Sequence, residues 1–390
     1  MKKYYIILLI LMVVCMTGCL KETDNDITLN IAFKMPEEYA DMDLDMTKIE
    51  VKLQNKDIPF TFTTNPDKEG IATFNVQPGK YDVVASAYFK ENRTAVNASV
   101  PEFIVSESRT IETDLILAIP NPLIIREIYY QGSQTFEGSS YSRDQYFELY
   151  NNAGPGGKTV YLDSICAAVI YPANSTTANN AWLGRDTIPI FQMFWMFPGN
   201  GNTYPLDPGE SCVVAITSAV DHSERATSGL QLNKAHFGCW AEHLTRHEIA
   251  AGVTPMICYM AGKGTGWGFS VNSPAFVIFK PDRSIDEYMD QGYIWERFEP
   301  GTTSGTKYWH IPKTWILDGV ECFARPDGGM KRLPGDIDAS YVCMESPTNS
   351  GKCITRKVEF TTDGIEVFFD TNNSDNDFIP DMEPSPRLKD

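Results

Sequence analysis

Apolar residues occupy every second position in several stretches of this chain, and this spacing constrains the fold more than any other feature. The first stretch carries apolar side chains at alternate positions: Ile27, Leu29, Ile31 and Phe33. The same alternation returns at residues 49–53 and 111–117. Successive side chains of a β-strand point to opposite faces, so this period is typical of strands that bury one face. We predict an all-β fold, with a first β-sandwich over residues 27–119.

Residues 70–85 carry the most specific pattern of this first part. The dipeptide Pro78-Gly79 separates two alternating runs, and Pro-Gly favours a tight turn. The second run contains Tyr81-x-Val83. The stretch resembles the hairpin of collagen-adhesin B-type and transthyretin-like sandwiches, where a strand, a Pro-Gly turn and a Tyr-x-Val strand recur. The resemblance implies an immunoglobulin-like module that serves as a stalk or spacer.

Two prolines, Pro120 and Pro122, end the alternation and remove two backbone donors, so we place a domain boundary there and a second domain over residues 120–390. Further strand-like runs follow at residues 123–130, 145–152, 160–163 and 206–216. Their order resembles the lamin-tail domain, an immunoglobulin-like sandwich. Relative to a compact lamin tail, this chain has long inserted loops at residues 172–204 and 221–273, which either carry function or cap the sandwich.

The resemblance becomes more specific towards the C-terminus. The runs that carry it lie at residues 275–282, 315–322, 370–378 and 384–387. Together they are similar to a Bacteroidetes lipoprotein family named domain of unknown function four-eight-seven-six, over roughly residues 120–388. The family name carries no reaction or ligand. The resemblance therefore implies a lamin-tail-like domain behind an N-terminal sandwich, and no catalytic residue.

The N-terminus has the features of a lipoprotein signal peptide. Lys2 and Lys3 precede an apolar stretch over residues 4–14, and Met16-Thr17-Gly18 leads into Cys19. That stretch is too short to span a bilayer, which takes roughly 20 apolar residues. We predict a signal peptide over residues 1–18, with Cys19 as the lipidated first residue of the mature protein; ordinary secretion is the alternative.

Residues 19–26 form a short acidic tether behind the predicted lipid. In Bacteroidetes lipoproteins an acidic segment at this place resembles a signal for transfer to the cell surface, and a merely solvated tether is the alternative. We expect an outer-membrane protein, lipid-anchored and exposed at the cell surface. The formal net charge of −18 argues against nucleic acid as a partner, since phosphate binding needs a clustered basic face.

Seven cysteines remain once Cys15 is removed with the signal and Cys19 is acylated. Exported proteins form disulfides. Cys343 and Cys353 flank the turn-rich residues 347–351, so we predict that they pair, with buried reduced thiols as the alternative.

His236, His243 and His247 are the candidate metal ligands. A helix over residues 241–251 would place His243 and His247 on one face, as metal ligands on a helix often are. However, the pattern His-Glu-x-x-His of metalloproteases is absent, so a solvated helical face is the alternative and we expect no cofactor. Two acidic runs, residues 41–45 and 370–374, resemble calcium loops, but each lacks the glycine at the sixth position.

Large aromatic residues concentrate in the predicted loops. The tryptophans that we assign to a candidate binding surface are Trp182, Trp195, Trp240 and Trp267. Flat rings stack on sugars and anchor protein interfaces, although packing in a core is the alternative. We therefore predict a non-catalytic lipoprotein that binds a glycan or an envelope protein, or serves in assembly, as an accessory to an outer-membrane transporter. The alternative is a metal-dependent hydrolase that uses residues 236–247.

Overall fold

The computed structural model describes residues 27–39, 42, 44–91, 93–176, 184–260, 265–290, 295–296, 308–325 and 329–390. Nearly all regular structure is β, which confirms the predicted fold class. The first part holds the strands β1 Ile27–Lys34, β2 Glu50–Asn55, β3 Thr61–Thr64, β4 Ile71–Val76, β5 Gly79–Phe89, β6 Thr94–Val105, β7 Arg109–Asp114 and β8 Ile116–Ala118. Within the described ranges, no helix is both long and apolar enough to span a membrane.

The second part begins at residue 123 and holds shorter strands and two short helices. Its first strands are β9 Leu123–Tyr129, β10 Ser133–Gln134, β11 Ser140–Tyr141, β12 Tyr146–Asn151, β13 Val160–Tyr161, β14 Cys166–Ile170, β15 Thr187–Met196, β16 Pro205–Leu206, β17 Ser211–Ala215 and β18 Ser218–Ala219. The middle strands are β19 Phe237–Gly238, β20 Glu248–Ile249, β21 Thr254–Pro255, β22 Ile257–Met260 and β23 Ala275–Phe279. The remaining elements are α1 Ile285–Asp290, β24 Trp295–Glu296, β25 Tyr308–Pro312, β26 Ile316–Phe323, β27 Val342–Cys343, β28 Cys353–Arg356, β29 Val358–Thr362, β30 Ile365–Phe368, α2 Ser374–Asp377 and β31 Phe378–Met382.

The first eight strands form a sandwich of two sheets. One sheet has the order β4-β1-β7 and the other has the order β3-β2-β5-β6-β8. Alternate residues of both sheets meet in one core, to which Leu29, Leu53 and Val83 contribute fully buried side chains. The two-residue period of the sequence therefore arises because one face of each strand is buried in this core.

The Pro78-Gly79 turn does not close a hairpin, and in this respect the resemblance is wrong. β4 pairs with β1, whereas β5 pairs with β2 and β6, so the turn carries the chain from one sheet to the other. The run at residues 111–117 is divided in the same way. β7 pairs with β1 in the first sheet and β8 pairs with β6 in the second. A local period reveals strands, but it does not reveal which sheet each strand joins.

The second sandwich packs a seven-stranded sheet against an eight-stranded one. The order is β21-β19-β17-β12-β9-β28-β31 in the first, and β24-β25-β15-β14-β23-β26-β27, with β22 beside β15, in the second. Aromatic and aliphatic residues of both sheets, among them Phe147, Trp195 and Phe276, fill the space between them. The chain enters this sandwich from β8 through residues 119–122, and the exact domain bounds stay a prediction.

The two predicted insertions have different structural roles. In the first one, at residues 172–204, residues 187–196 form β15, a ten-residue strand inside the eight-stranded sheet, so this part belongs to the sandwich and is not an inserted loop. Residues 177–183 lie outside the described residues. The described part of residues 221–273 contributes β19 and β21 to the seven-stranded sheet and β22 to the eight-stranded one. On the outer side of the seven-stranded sheet, Leu232 and Val253 pack against Tyr129 and Val213. The capping alternative therefore describes only a part of this second stretch.

Arg356 on β28 organises a buried ion cluster beneath the run at residues 370–378. Its guanidinium donates to Asp318 at 2.6 Å and lies 3.2 Å from Asp370 and 3.4 Å from Asp377. It also donates to the carbonyl of Ile125 on β9. Burial raises the pKa of Asp318 to about 7 and that of Asp377 to about 6, since one cation compensates only part of the cost of three buried carboxylates. The run at residues 370–378, which resembles a calcium loop, therefore contributes carboxylates that pair with Arg356.

The same run ends in a helix cap. Asn373 accepts a hydrogen bond from the amide of Asn376 and starts α2, and the hydroxyl of Ser374 donates to Asp338 at 2.5 Å. This is the turn-forming use of Asn that polar clusters of this kind favour. In the other acidic run, Asp41 and Asp43 lie outside the described residues, and Asp45 caps a short 3₁₀ turn at Met46–Lys48.

Residues 384–387 form a strap across the outside of the seven-stranded sheet. Ser385 donates from its amide and its hydroxyl to the two carboxylate oxygens of Glu127, at 2.9 and 2.8 Å. The amide of Arg387 donates to Glu148 at 3.2 Å, and Arg126 pairs with Glu148 at 2.9 Å. Both glutamates are fully buried. The strap therefore supplies hydrogen bonds that these carboxylates would otherwise take from water.

Candidate functional site

The three candidate histidines do not share a face. The predicted helix over residues 241–251 is wrong: this stretch consists of turns that lead into β20. His243 is exposed, while His236 accepts a hydrogen bond on Nδ1 from the amide of Val213 at 3.1 Å. His247 is buried. Across the described ranges, no group of three His, Cys, Asp or Glu residues is placed to hold a metal ion.

His247 instead holds the main chain at Trp267 in place. Its Nδ1 bonds to the carbonyl of Cys239, and its Nε2 accepts from the amide of Trp267 at 2.8 Å. Because an amide can only donate, Nε2 is unprotonated and Nδ1 carries the hydrogen. Burial lowers the pKa of His247. Both ring nitrogens are therefore occupied by main-chain groups, which leaves neither for a metal.

Replacing His247 with Phe should cost about 1–3 kcal/mol of stability near neutral pH, because two buried main-chain groups lose their partner. The depressed pKa means that the unfolded chain takes up a proton near pH 6.5 before the folded one does, so the wild type loses stability on acidification. The difference between wild type and variant should therefore shrink as the pH falls from about 8 to about 5. Urea unfolding across this range measures it, with exposed His243→Phe as the matched control. A difference that is independent of pH would contradict the assigned tautomer.

Two of the four tryptophans of the predicted binding surface lie in the core, so for these two the prediction is wrong. Trp195 is fully buried between the two sheets, and Trp267 is 7% exposed and packs edge-to-face against it at 5.9 Å. Trp240 is half-buried, and Trp182 lies outside the described residues. The aromatic residues gather because they fill one core, which was the alternative.

The predicted disulfide between Cys343 and Cys353 is not formed. Cys353 is a buried free thiol on the outer side of the seven-stranded sheet, next to Thr355. Cys343 lies on β27 opposite Phe323 of the eight-stranded sheet, and its thiol donates to the carbonyl of Met344. The turn between them is instead tied to residues 131–132 by main-chain bonds. The lipidation residue Cys19 and its tether lie outside the described residues.

A cleft of about 580 Å³ opens where the first sandwich meets the second. One wall is the outer face of the sheet β3-β2-β5-β6-β8. Its lining residues are Lys52, Gln54, Thr61, Asp82, Val84, Ser99 and Pro101. These positions alternate with the core residues of the same strands, so one face of each strand fills the sandwich and the other faces the cleft.

The opposite wall comes from the end of the second sandwich. It contains β27, the edge strand β31, α2 and the stretch before β27. Its lining residues are Lys331, Ser340, Tyr341, Val342, Cys343, Glu345, Lys357, Asp375, Phe378, Ile379 and Pro380. Tyr341 crosses between the walls: its hydroxyl donates to Gln54 at 2.8 Å, and its ring stacks on Phe323 at 3.9 Å. The cleft therefore exists only when both sandwiches are in place.

Most charged groups of the cleft are already paired with protein atoms. Lys52 donates to Asp375 at 2.7 Å; burial would lower the pKa of Lys52, but this pairing outweighs it and the pKa is raised. Asp82 pairs with Lys56 at 2.8 Å. The ammonium of Lys331 donates to the carbonyls of residues 338 and 340. The cleft thus presents hydroxyl, amide and aliphatic groups with little uncompensated charge, which suits a neutral ligand.

Residues 207–385 match the model of the family described as "Protein of unknown function (DUF4876)". They include the second wall of the cleft and the Arg356 cluster. This part of the chain is therefore similar to the DUF4876 family. A DUF4876 family protein from Bacteroides thetaiotaomicron, solved by crystallography, is similar over 93% of this chain and 96% of its own, with 25% identity and a TM-score of 0.60. The likeness to that structure therefore extends across both sandwiches.

Two other solved structures show much weaker likeness. Both are proposed adhesins from Bacteroides ovatus. One has 8% identity and a TM-score of 0.22 over 85% of this chain and 98% of its own, and the other has 9% and 0.20 over 72% and 82%. At these scores nothing is transferred to this chain. A comparison with curated proteins gave no significant match.

No pattern in the sequence predicted the cleft. Its lining residues come from strands of the first sandwich and from segments of the second that lie more than 200 positions later; Lys52 and Asp375, for example, are 323 residues apart. One signal was visible: the outward positions of β2 and β5 include Gln54, Asp82 and Val84, a mixed face that a solvated stalk does not need. Which surface covers that face depends on tertiary packing alone.

Proposed function

We propose that this chain is a non-catalytic, lipid-anchored envelope protein that binds a neutral ligand in the cleft between its two sandwiches. The observation that carries the proposal is the cleft itself. Its volume of about 580 Å³ is in the range of small-ligand sites, and its walls combine aliphatic surface with a few converging polar groups. Sites of this kind occur preferentially between domains.

Two further observations support binding over catalysis. Lys52, Asp82 and Lys331 are held by protein partners, so they are poorly placed to exchange protons with a substrate. In addition, the hydrolase alternative depended on a histidine face, and the main chain occupies both nitrogens of His247. The anchor at Cys19 and the location at the outer-membrane surface are part of the proposal, and they depend on the signal-peptide pattern.

The test fills the cleft with a bulky side chain and leaves the hydrophobic cores of both sandwiches unchanged. Ile379 lines the cleft and is 39% exposed, and Val84 on the opposite wall is half-buried. Ile379→Arg and Val84→Arg each place a bulky charge in a space suited to a neutral ligand. Ile257, which is 40% exposed and does not line the cleft, gives the matched control Ile257→Arg.

The secreted mature chain and the three variants are applied to arrays of neutral and acidic oligosaccharides and to envelope proteins. We expect a neutral ligand to bind the wild type and Ile257→Arg equally, and to bind each cleft variant about tenfold more weakly or worse. Binding that survives both cleft variants would place the ligand elsewhere. Selective binding of acidic ligands would contradict the inferred neutrality.

A further inference from the structure

One end of the first sandwich exposes three large apolar side chains. Ile58, Phe60 and Ile104 are 56%, 52% and 68% exposed, although most apolar residues of this sandwich are buried. The amide of Asn55 donates to the carbonyl of Phe60, which places Phe60 at the end of β2. Since Asn55 pairs with Tyr81, and Lys80 with Ile104, all three side chains lie at the same end of the five-stranded sheet. We call these three residues the apolar tip.

The chain enters the sandwich at this same end. β1 starts at Ile27 opposite Val76, and only two residues separate Val76 from the start of β5 next to the tip. The amide of Thr28 donates to the hydroxyl of Ser108, and the neighbouring Arg109 donates to the carbonyl of Ile104. The start of β1 therefore lies beside the tip, whereas β8 runs away from it towards the second sandwich.

The segment before β1 limits how far this end can be from a membrane. The tether from Cys19 to Asp26 has eight residues. A fully extended chain spans at most about 3.5 Å per residue, so the tether reaches roughly 28 Å. If Cys19 carries lipid, as the proposed function requires, the start of β1 is held within that distance of the bilayer surface.

We propose that the apolar tip inserts into the headgroup layer of the membrane that holds the lipid anchor. Exposed apolar side chains at a membrane surface bury their area against acyl chains, which adds affinity in proportion to that area. The charged residues beside the tip balance one another: Lys80 pairs with Glu102 at 3.1 Å, and Arg109 is offset by Asp57, which accepts a hydrogen bond from the amide of Lys80. Insertion therefore depends on the apolar side chains and requires no anionic lipid.

Hydroxyl-radical footprinting tests this with residues of the chain as internal controls. The full mature lipoprotein is reconstituted in phosphatidylcholine vesicles, and the same chain secreted without lipid serves as reference. Mass spectrometry should show oxidation of Ile58, Phe60 and Ile104 reduced about fivefold or more on vesicles, because side chains at the boundary between headgroups and acyl chains are shielded from water and radicals. Phe136 and Ile119, 63% and 70% exposed and outside the tip, should be oxidised equally in both samples.

The failure of the anchor and the failure of the tip are distinguishable. The mass of the N-terminal peptide reports whether Cys19 carries acyl chains, independently of the footprint. An acylated protein whose tip is oxidised as in the reference would overturn the proposal. Protection of the tip in the lipid-free sample that grows with protein concentration would assign the tip to a second copy of the chain and would also overturn it. In Phe60→Ser/Ile104→Ser, the vesicle protection of Ile58 should be lost.

Discussion

Replacing Arg356 with Met is expected to lower the free energy of unfolding by about 3–5 kcal/mol, the largest effect of any single substitution that we predict. The guanidinium is the cation that Asp318, Asp370 and Asp377 share, and its side chain is 2% exposed. Without it, the buried carboxylates must take up protons or draw water into the core. Urea unfolding followed by tryptophan fluorescence measures the loss.

The pH dependence tests the cause of this effect. Because the folded pKa values of Asp318 and Asp377 lie above the unfolded value, their stabilising contribution is present at low pH and is lost as the pH rises from about 4 to about 7. In Arg356→Met the carboxylates lose their cation, so that decline should become steeper. Arg283→Met, at an exposed pair with Asp282, is the matched control and should leave stability almost unchanged. A loss in Arg356→Met that is the same at every pH would indicate poor packing as its cause.

Ending the chain after Glu383 is expected to lower the free energy of unfolding by about 3 kcal/mol or more. The strap at residues 384–387 provides two hydrogen bonds to Glu127 and one to Glu148. Both carboxylates would remain buried with fewer donors, and burial already raises the pKa of Glu148. Thermal unfolding of the shortened chain measures the effect.

A chain that ends after Lys389 is the control for this truncation, since it lacks only the exposed Asp390. It should unfold like the full chain. The substitution Ser385→Ala should reproduce about 1–2 kcal/mol of the loss, because it removes the hydroxyl and keeps the amide. Equal stability of the full chain and the chain ending at Glu383 would show that the strap only covers the sheet.

The strands were the most predictable part of this protein. Alternation identified β1, β2 and β7, and the apolar runs at residues 123–130 and 275–282 became β9 and β23. These patterns are local, and they follow from which side of a strand faces the core. The assignment of strands to sheets was less predictable, as the turn at Pro78-Gly79 shows. A turn that joins two sheets and a turn that closes a hairpin use the same residues.

The candidate site could not be predicted for the same reason. The sequence predicted site residues from side-chain chemistry alone, at histidines, cysteines and tryptophans. The role of each of these side chains depends on its surroundings in the fold. His247 bonds to two main-chain groups, and Trp195 and Trp267 pack in the core. The cleft, in contrast, is lined by ordinary residues such as Val84 and Ile379, which carry no chemical signature in a sequence.

The strap has a consequence for how this chain folds. Ser385 bonds to Glu127 across 258 positions, and β31 pairs with β28, which in turn pairs with β9. The seven-stranded sheet and the strap that covers it can therefore be completed only after residues 353–387 have been synthesised. Contacts across so many positions slow folding, because a long stretch of chain must be ordered before they form.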